Sequence, residues 1–236
     1  MIKKAMILAA GFGKRLNPLT LDCPKPLLKI SKETLLSNTL KFLKQFGIEH
    51  VVINLYYLSD QITEYINKNN FDLDITLIEE KNKILDTGGG VLNAIEHFSN
   101  QPFLIINPDT IWDKEYLKEI KKMKNFFLSD NQNKCCLLVV DKKKSFDKSL
   151  KGDFVLKNNL ISKTKNKKNF KYIYTGLQII KPENFSNLDL KIFSMNMIWD
   201  NLIKNNSLHG IESKINFLHI NNLKIYKSLQ KKNFKN

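Results

Sequence analysis

Two glycines and two cations near the start of the chain have the residue types and the order expected of a phosphate-binding turn. Gly11 and Gly13 come directly after an apolar run, and Arg15 and Lys25 follow them. Glycines allow a sharp turn whose backbone N–H groups approach phosphate oxygens, and fixed cations neutralise the phosphate charge. We therefore predict a nucleotide-binding turn made of these residues: Leu8, Ala9, Ala10, Gly11, Gly13, Arg15 and Lys25.

The glycine pair also has simpler or rival interpretations. A Gly-x-Gly step after a strand can be a tight turn and nothing more. A dinucleotide fingerprint needs a third glycine at position 16, where this chain has Leu16. A P-loop needs Gly-Lys followed by Ser or Thr, and the only Gly-Lys step here, at Gly13, is followed by Arg15. The glycine pair therefore indicates a nucleotide site only together with the residues around it.

The elements that must position this turn alternate between strands and helices. Apolar runs predict buried strands, and apolar residues at helical spacing predict amphipathic helices. The predicted elements are, in chain order, a strand at 5–8, a helix at 35–46 capped by Gly47, a strand at 51–55, a helix capped by Ser59 or Asp60, and a strand at 75–78. This alternation predicts an α/β fold with a doubly wound, mostly parallel sheet and a ligand at the carboxyl ends of its strands.

Two later strand ends carry further candidate residues. Residues 85–91 contain three consecutive glycines ahead of a predicted helix at 91–98, and they are either a flexible turn or a backbone wall for a nucleobase. The apolar run at 103–106 ends in Asn107 and Asp109. An Asp at a strand end is either a turn residue or a carboxylate that holds a metal ion at the edge of the sheet.

The composition indicates one globular domain in a reducing compartment. The chain has 236 residues, of which 42% are hydrophobic, enough for a substantial core. The three cysteines are odd in number, and Cys135 and Cys136 are adjacent, which argues against a disulfide framework. The sequence shows no signal-peptide pattern and no apolar run of membrane-span length. We therefore expect a cytoplasmic protein without a membrane partner.

The net charge of +15 raises the question of nucleic-acid binding. The 38 basic residues are scattered along the chain, and they do not alternate with aromatic residues as in a recognition module. The lysine-rich runs at 142–144 and 163–171 and the tail from Lys231 are predicted to be solvated loops and a frayed end. We therefore expect no nucleic-acid partner, although an RNA-binding protein remains an alternative that the charge alone suggests.

The N-terminal motifs, taken together, resemble the signature of the sugar-1-phosphate nucleotidyltransferases. The resemblance rests on this run of residues: Gly11-Phe12-Gly13, Arg15, Pro18-Leu19-Thr20 and Pro24-Lys25-Pro26-Leu27. Thr87-Gly88-Gly89-Gly90 is similar to the branch of that family that uridylylates N-acetylmuramate 1-phosphate. The resemblance implies transfer of a nucleotidyl group from a nucleoside triphosphate, UTP being favoured, to a sugar 1-phosphate, with release of pyrophosphate.

The resemblance also implies an architecture. It implies a Rossmann-like sheet of the nucleotide-diphospho-sugar transferase type, without a C-terminal β-helix. The whole chain, 1–236, would be one domain with a nucleotide-binding half at 1–110, a sugar-phosphate-binding half at 111–230 and a frayed tail at 231–236. We expect a monomer or a small homo-oligomer.

The family pattern implies roles for residues that match it. Arg15 would hold the β- and γ-phosphates and Lys25 the α-phosphate, while Asp109 would bind Mg²⁺, the expected cofactor. The base would contact Thr87, Gly88 and Gly89. The residues expected on the sugar side are Asn107, Asp153, Thr175 and Gly176.

Two of these positions remain open. Asp153, in the step Gly152-Asp153-Phe154, is either a sugar ligand or an Asp in a hairpin turn. His219, in a strand predicted at 216–220, stands where the muramate branch has an Asp that is a second Mg²⁺ ligand. Imidazole suits Mg²⁺ poorly, so His219 either bonds a phosphate or a metal-bound water, or packs.

Two further alternatives compete with the uridylyl transfer implied above. Guanylyl transfer to mannose or heptose 1-phosphate is the close rival within the family. A non-catalytic nucleotide sensor on the same fold is the other, and the His at position 219 gives it some support.

Overall fold

The computed structural model describes residues 2–164, 166 and 170–232. Its strands are Lys4–Leu8 (β1), Lys29–Ile30 (β2), Glu33–Thr34 (β3), His50–Leu55 (β4), Asp74–Glu79 (β5), Phe103–Ile106 (β6), Cys135–Asp141 (β7), Val155–Lys157 (β8), Leu160–Ser162 (β9), Tyr172–Ile180 (β10) and Leu208–Ser213 (β11). Its α-helices are Leu35–Phe46 (α1), Ser59–Lys68 (α2), Asp86–Asn93 (α3), Tyr116–Leu128 (α4), Met195–Lys204 (α5) and Leu223–Gln230 (α6).

Nine of the described strands form one central sheet in the order β5-β4-β1-β6-β10-β7-β11-β9-β8. Strands β5, β4, β1 and β6 are parallel neighbours, whereas β10 is antiparallel to both β6 and β7. Strand β11 is again parallel to β7. The predicted α/β fold with a mostly parallel, Rossmann-like sheet is confirmed, and the described residues form no β-helix. The antiparallel orientation of β10 is the main feature of the sheet that the sequence pattern did not indicate.

The order of the first four strands places a switch point beside β1. The chain goes from β1 outward to β4 and β5, and then returns to the other side of β1 as β6. In open α/β sheets, ligands bind at the carboxyl ends of the strands where the order reverses. The turn after β1 and the residues after β6 therefore lie at the expected ligand-binding edge.

Alternate residues of the central strands pack on opposite faces of the sheet. Ala5 and Ile7 belong to a core cluster on the face covered by α1 and α4. Met6 belongs to a second cluster, which contains residues of α3 and α5. Both faces of β1 are thus buried, as its continuous apolar sequence predicts for a strand in a doubly wound sheet.

The first helix confirms its predicted limits, whereas the second helix begins differently. The side chain of Thr34 caps α1 by accepting from the Ser37 N–H at 3.0 Å, and Gly47 ends the helix with φ = 95°. The cap position of α2 is Leu58, with φ = 51° and no side-chain cap. The predicted cap at Ser59 or Asp60 is wrong, and the Ser59 hydroxyl instead donates to Glu79 Oε1 at 2.8 Å.

The three consecutive glycines lie inside a helix rather than ahead of one. Helix α3 spans Asp86–Asn93, and a 3₁₀ turn at Ile95–Phe98 follows it. The prediction of a loop followed by a helix at 91–98 is therefore wrong. Glycine disfavours helix interiors by about 1 kcal/mol relative to Ala, and close packing against a neighbouring segment overrides that preference here, as described below.

The second half of the chain extends the sheet. The hairpin β8–β9 lies between the lysine runs at 142–144 and 163–171, and it joins the sheet edge through β11. Residues 165 and 167–169 of the second run lie outside the described residues. Strand β11 was not predicted. The strand predicted at 216–220 is wrong, because the structure has isolated bridges there, pairing Phe217 with Ser145 and His219 with Thr110.

The described residues include only the start of the predicted C-terminal tail. Of the tail predicted at 231–236, residues 233–236 lie outside the described residues, and Lys232 Nζ lies 4.6 Å from the centre of the Phe146 ring. No helix in the described part of the chain is long and apolar enough to cross a membrane.

Candidate active site

The glycine turn after β1 leaves its backbone open at one position and closely packed at another. A Cβ added to Gly11 would meet nothing within 4 Å, and Gly11 is exposed. Gly13 has φ = 66°, and a Cβ there would lie 3.0 Å from Thr20 Cγ2 and 3.2 Å from Lys25 Cβ. Gly13 therefore allows the turn to lie directly against Lys25.

Lys25, Asp109 and His219 meet at the carboxyl edge of the sheet. The Lys25 ammonium donates to Asp109 Oδ2, and His219 Nε2 lies 3.2 Å from the same oxygen. Lys25 begins a 3₁₀ turn after Pro24, Asp109 follows β6, and the His219 backbone bridges Thr110. Three segments far apart in sequence thus place a cation, a carboxylate and an imidazole in contact.

The charge of Asp109 is maintained by its neighbours. Burial alone would raise the pKa of this carboxyl, but the charges and hydrogen bonds of Lys25 and His219 outweigh burial and hold the pKa well below its usual range. The carboxylate is therefore ionised at neutral pH. Its Oδ1 atom is buried without a hydrogen-bond partner among the described residues.

This free oxygen fits a divalent metal ion that reaches the site with a phosphate ligand. Mg²⁺ accepts one or two protein carboxylates and completes its shell with phosphate oxygens and water. The part of the chain that the structure describes has no group of three or more His, Cys, Asp or Glu side chains suited to a metal. Asp109 fits as a single carboxylate ligand, whereas His219 contacts the other oxygen of that carboxylate.

Arg15 lies in a 3₁₀ turn that starts immediately after Gly13. Its side chain is exposed, and within residues 2–164, 166 and 170–232 it forms no ion pair or hydrogen bond. An unpaired guanidinium beside a glycine turn is available to bind phosphate oxygens in a bidentate manner.

The remaining nucleotide-binding candidates differ in what their polar groups already contact. Ala9 donates its N–H to Asn54 Oδ1 at 3.0 Å. The N–H groups of Gly88 and Gly89 both donate to Phe193 O, at 2.9 and 3.0 Å. A Cβ at Gly88 would lie 2.4 Å from the Phe193 ring, so packing alone requires this glycine. The proposed contact of Gly88 and Gly89 with a base stays a prediction. The same holds for Leu8 and Ala10, of which Ala10 is buried, and for Thr87, whose hydroxyl accepts from the Met195 N–H at 2.9 Å.

A cleft of about 700 Å³ opens next to this cluster and contains the candidates for the sugar side. Asn107 and Gly176 lie together at its wall, since the Asn107 N–H donates to Gly176 O at 2.7 Å. Gly176 has φ = 90°, and a Cβ there would lie 2.9 Å from Asn107 Cβ. Asn107 Oδ1 is buried without a partner among the described residues. His219 lines the same cleft, which therefore adjoins Asp109.

Asp153 and Thr175 also line the cleft, but both make internal contacts. Asp153 Oδ2 accepts from the Tyr174 N–H at 2.9 Å. Asp153 precedes the β8–β9 hairpin, whose turn is formed by Asn158 and Asn159, so the alternative of a hairpin-turn Asp is wrong. The Thr175 hydroxyl donates to Leu138 O at 2.9 Å, so its side chain stabilises the sheet.

An aromatic wall of the cleft has no counterpart among the residues predicted from the sequence. Tyr174 and Trp199 have ring centres 4.8 Å apart, and Phe154 packs edge-on against Trp199 at 5.8 Å. Aromatic faces commonly bind the apolar faces of ligands. Helical spacing indicated only that Trp199 packs in the core, and no sequence signal places it beside Tyr174.

Gly13 and Gly47, two of the four positive-φ glycines among the described residues, provide a matched test of the glycine turn. Replacing either by Ala is expected to lower the free energy of unfolding by about 1–2 kcal/mol, the cost of a left-handed conformation. Only Gly13→Ala is expected to lower kcat/KM, by about tenfold or more, because its Cβ displaces Lys25 whereas the Cβ of Gly47→Ala meets open space. Urea unfolding and initial-rate kinetics measure both effects. Equal activities of the two variants would contradict the role of Gly13.

The sequence of this chain is similar to those of known proteins. The nucleotidyl transferase family model matches residues 4–146, more than half of the chain. An N-acetylmuramate alpha-1-phosphate uridylyltransferase from Caulobacter vibrioides is 25% identical over 222 residues, covering 92% of this chain and 91% of the relative. A protein of the same name from Neisseria meningitidis serogroup B is 39% identical over 114 residues, covering 48% of this chain and 49% of the relative.

A solved structure shows the same fold along almost the whole chain. HddC from Yersinia pseudotuberculosis, complexed with GMP-PN, superposes with a TM-score of 0.76 at 24% identity, covering 98% of this chain and 99% of that one. The family match includes the glycine turn, Lys25 and Asp109. The chain therefore belongs to the nucleotidyl transferase family, among the sugar-1-phosphate nucleotidyltransferases.

Proposed function

We propose that the protein transfers a uridylyl group from UTP to N-acetylmuramate 1-phosphate in a Mg²⁺-dependent reaction, giving the nucleotide sugar and pyrophosphate. The observation that carries the proposal is the meeting of Lys25, Asp109 and His219 between the open glycine turn and the cleft. A triphosphate on the turn and a sugar phosphate in the cleft would approach each other at these side chains.

The chemistry follows from charge placement. An oxygen of the sugar phosphate attacks the α-phosphorus, and the bond from the α-phosphorus to the pyrophosphate oxygen breaks. Because a sugar phosphate is ionised at neutral pH, the attack needs no general base. Lys25 neutralises the charge that builds on the α-phosphate oxygens, and Arg15 binds the departing phosphates. A Mg²⁺ ion held by Asp109 would supply further neutralisation of phosphate charge.

Asn107 and Gly176 support the sugar side of this arrangement. The free Oδ1 of Asn107 is an acceptor for a sugar hydroxyl, and Gly176 allows the approach that places Asn107 at the cleft wall. The choice of UTP and N-acetylmuramate 1-phosphate is supported by the names of the Caulobacter and Neisseria relatives and by the Thr87-Gly88-Gly89-Gly90 segment.

A crossed substrate assay tests the proposal. Pyrophosphate release is measured with four nucleoside triphosphates, each paired with N-acetylmuramate, mannose, heptose and glucose 1-phosphates, with and without Mg²⁺. We expect the highest kcat/KM for UTP with N-acetylmuramate 1-phosphate, and no release after metal chelation. A preference for GTP with mannose or heptose 1-phosphate would replace the proposal by guanylyl transfer. Nucleotide binding without release for any pair would favour the nucleotide sensor.

A further inference from the structure

Two buried polar side chains join the glycine turn to the start of α3. Asn54 and Glu80 are 3% and 2% exposed, at the carboxyl ends of β4 and β5. Asn54 Oδ1 accepts from the Ala9 N–H at 3.0 Å, and Asn54 Nδ2 donates to Glu80 Oε1 at 2.7 Å. Glu80 Oε2 accepts from the Leu85 N–H at 2.7 Å. One chain of three hydrogen bonds therefore runs from Ala9 to Leu85.

The absent side chain of Gly90 makes room for this pair. A Cβ at Gly90 would lie 2.7 Å from Asn54 Nδ2 and 2.8 Å from Glu80 Oε1. Helix α3 thus lies directly against the centre of the hydrogen-bond chain. The third consecutive glycine is explained by this contact, whereas Gly88 is explained by its packing on Phe193.

Burying a carboxylate and an amide is costly unless all their hydrogen bonds form. Burial raises the pKa of Glu80, and the bonds from Leu85 and Asn54 oppose that rise. Hydrophobic side chains could fill the same volume without this cost. A fully bonded polar pair at this position instead fixes the distance and orientation of the segments that it joins.

We infer that Asn54 and Glu80 are positioning residues for the nucleotide: they hold the Ala9–Gly13 turn and the α3 N-terminus in the relative placement that binds the triphosphate and its base. Neither residue touches the reacting atoms. The inference rests on the proposed function only in assigning the two joined segments to one nucleotide, and it predicts an effect on nucleotide affinity rather than on sugar phosphate affinity.

The pattern of hydrogen-bond donors and acceptors in Asn54 and Glu80 can be exchanged by mutation, which allows a direct test. Both ends of the chain are N–H donors, so the pair must present an acceptor at each end and one donor in the middle. Asn54→Asp places two carboxyl groups in the middle, where the hydrogen bond forms only if one of them takes up a proton. Glu80→Gln places two donors there or at one end. The double variant Asn54→Asp/Glu80→Gln restores every hydrogen bond with the carboxylate and the amide exchanged, at the same net charge.

The experiment measures the Kd for UTP by calorimetry in the presence of Mg²⁺, together with the Tm, for the unmodified chain, both single variants and the double variant. Each single variant is expected to raise the Kd about tenfold, as for an unpaired buried polar group. The double variant is expected to return to within about threefold of the unmodified value. The KM for the sugar 1-phosphate at saturating UTP is expected to stay unchanged in all of them.

Asn133→Asp is the matched control. Asn133 is 5% exposed, and its Nδ2 donates to Phe126 O and Phe127 O at the end of α4. This variant is expected to lower the Tm and leave the Kd for UTP unchanged. Single variants that lower the Tm without raising the Kd, or a double variant no tighter than the singles, would overturn the inference. Because the main readout is binding, an unmodified chain that binds UTP without transferring uridylyl groups would refute the proposed function alone.

Discussion

Lys25→Ala is expected to lower kcat/KM by about 10²-fold or more, comparable to the loss of one donor that stabilises an oxyanion. The side chain contacts Asp109 and lies under the glycine turn, where the α-phosphate of a bound triphosphate would gain negative charge. Among the described residues, no other lysine and no arginine side chain contacts the Asp109 carboxylate, so no neighbouring ammonium or guanidinium group takes over this role. Steady-state rates of pyrophosphate release with the preferred substrate pair measure the effect.

Lys29→Ala provides the control for this variant. Lys29 is exposed on β2, four residues after Lys25, and it forms no side-chain ion pair in the described residues. Its replacement removes the same charge from the same segment and is expected to change kcat/KM by less than about twofold. Near-normal turnover in Lys25→Ala, or an equal loss in Lys29→Ala, would refute the assigned role of Lys25.

Asp109→Ala is expected to have an equally large effect, a loss of about 10²-fold or more in kcat/KM. The change removes the free carboxylate oxygen that fits Mg²⁺ and also leaves the Lys25 and His219 side chains without their shared acceptor. Asp109→Asn keeps the shape of the side chain and removes its charge, so it separates charge from packing. We expect it to lose activity nearly as strongly and to require more Mg²⁺ for half-maximal rate.

The exposed face of the same loop supplies a control for Asp109. Asp113 Oδ1 accepts from the Glu115 N–H at 2.9 Å, and an amide oxygen can accept the same bond. Asp113→Asn is therefore expected to keep both activity and Mg²⁺ dependence. Full activity in Asp109→Asn would rule out the carboxylate as a metal ligand.

The sequence predicts the nucleotide half of the fold well because most of its strands are continuous apolar runs. Strands β1, β4 and β6 are buried between two layers of helices, and such runs identify them directly. Strand β5 lies at the edge of the sheet and is only half-buried. Strand β11 escaped prediction because its sequence, Leu-His-Gly-Ile-Glu-Ser, mixes polar residues with glycine. Helix α3 escaped because three glycines predict a loop, whereas tertiary contacts explain them: Phe193 lies against Gly88, the Lys191 backbone against Gly89, and Asn54 and Glu80 against Gly90.

The candidate site was predictable where its residues lie at strand ends. Lys25 and Asp109 are 84 positions apart, and their contact follows from placing both at the carboxyl edge of the sheet. The family resemblance placed His219 on the metal side of the site, but its direct contact with Asp109 was not predicted, since it depends on an irregular segment that bridges Thr110. The sequence pattern identified Asn54 only as a residue of a buried strand, because its partner Glu80 lies at the end of a different strand.

Attack of the sugar phosphate on the α-phosphorus is tested most directly by following the oxygen atoms during turnover. The reaction is run with UTP and a sugar 1-phosphate whose non-bridging phosphate oxygens are ¹⁸O, and the products are observed by ³¹P NMR. If a labelled oxygen attacks the α-phosphorus, it bridges the two phosphorus atoms of the nucleotide sugar, and we expect an isotope shift of the uridylyl phosphorus signal. We also expect the released pyrophosphate to carry no label. Labelled pyrophosphate, or an unshifted uridylyl phosphorus, would contradict attack of the sugar phosphate on the α-phosphorus.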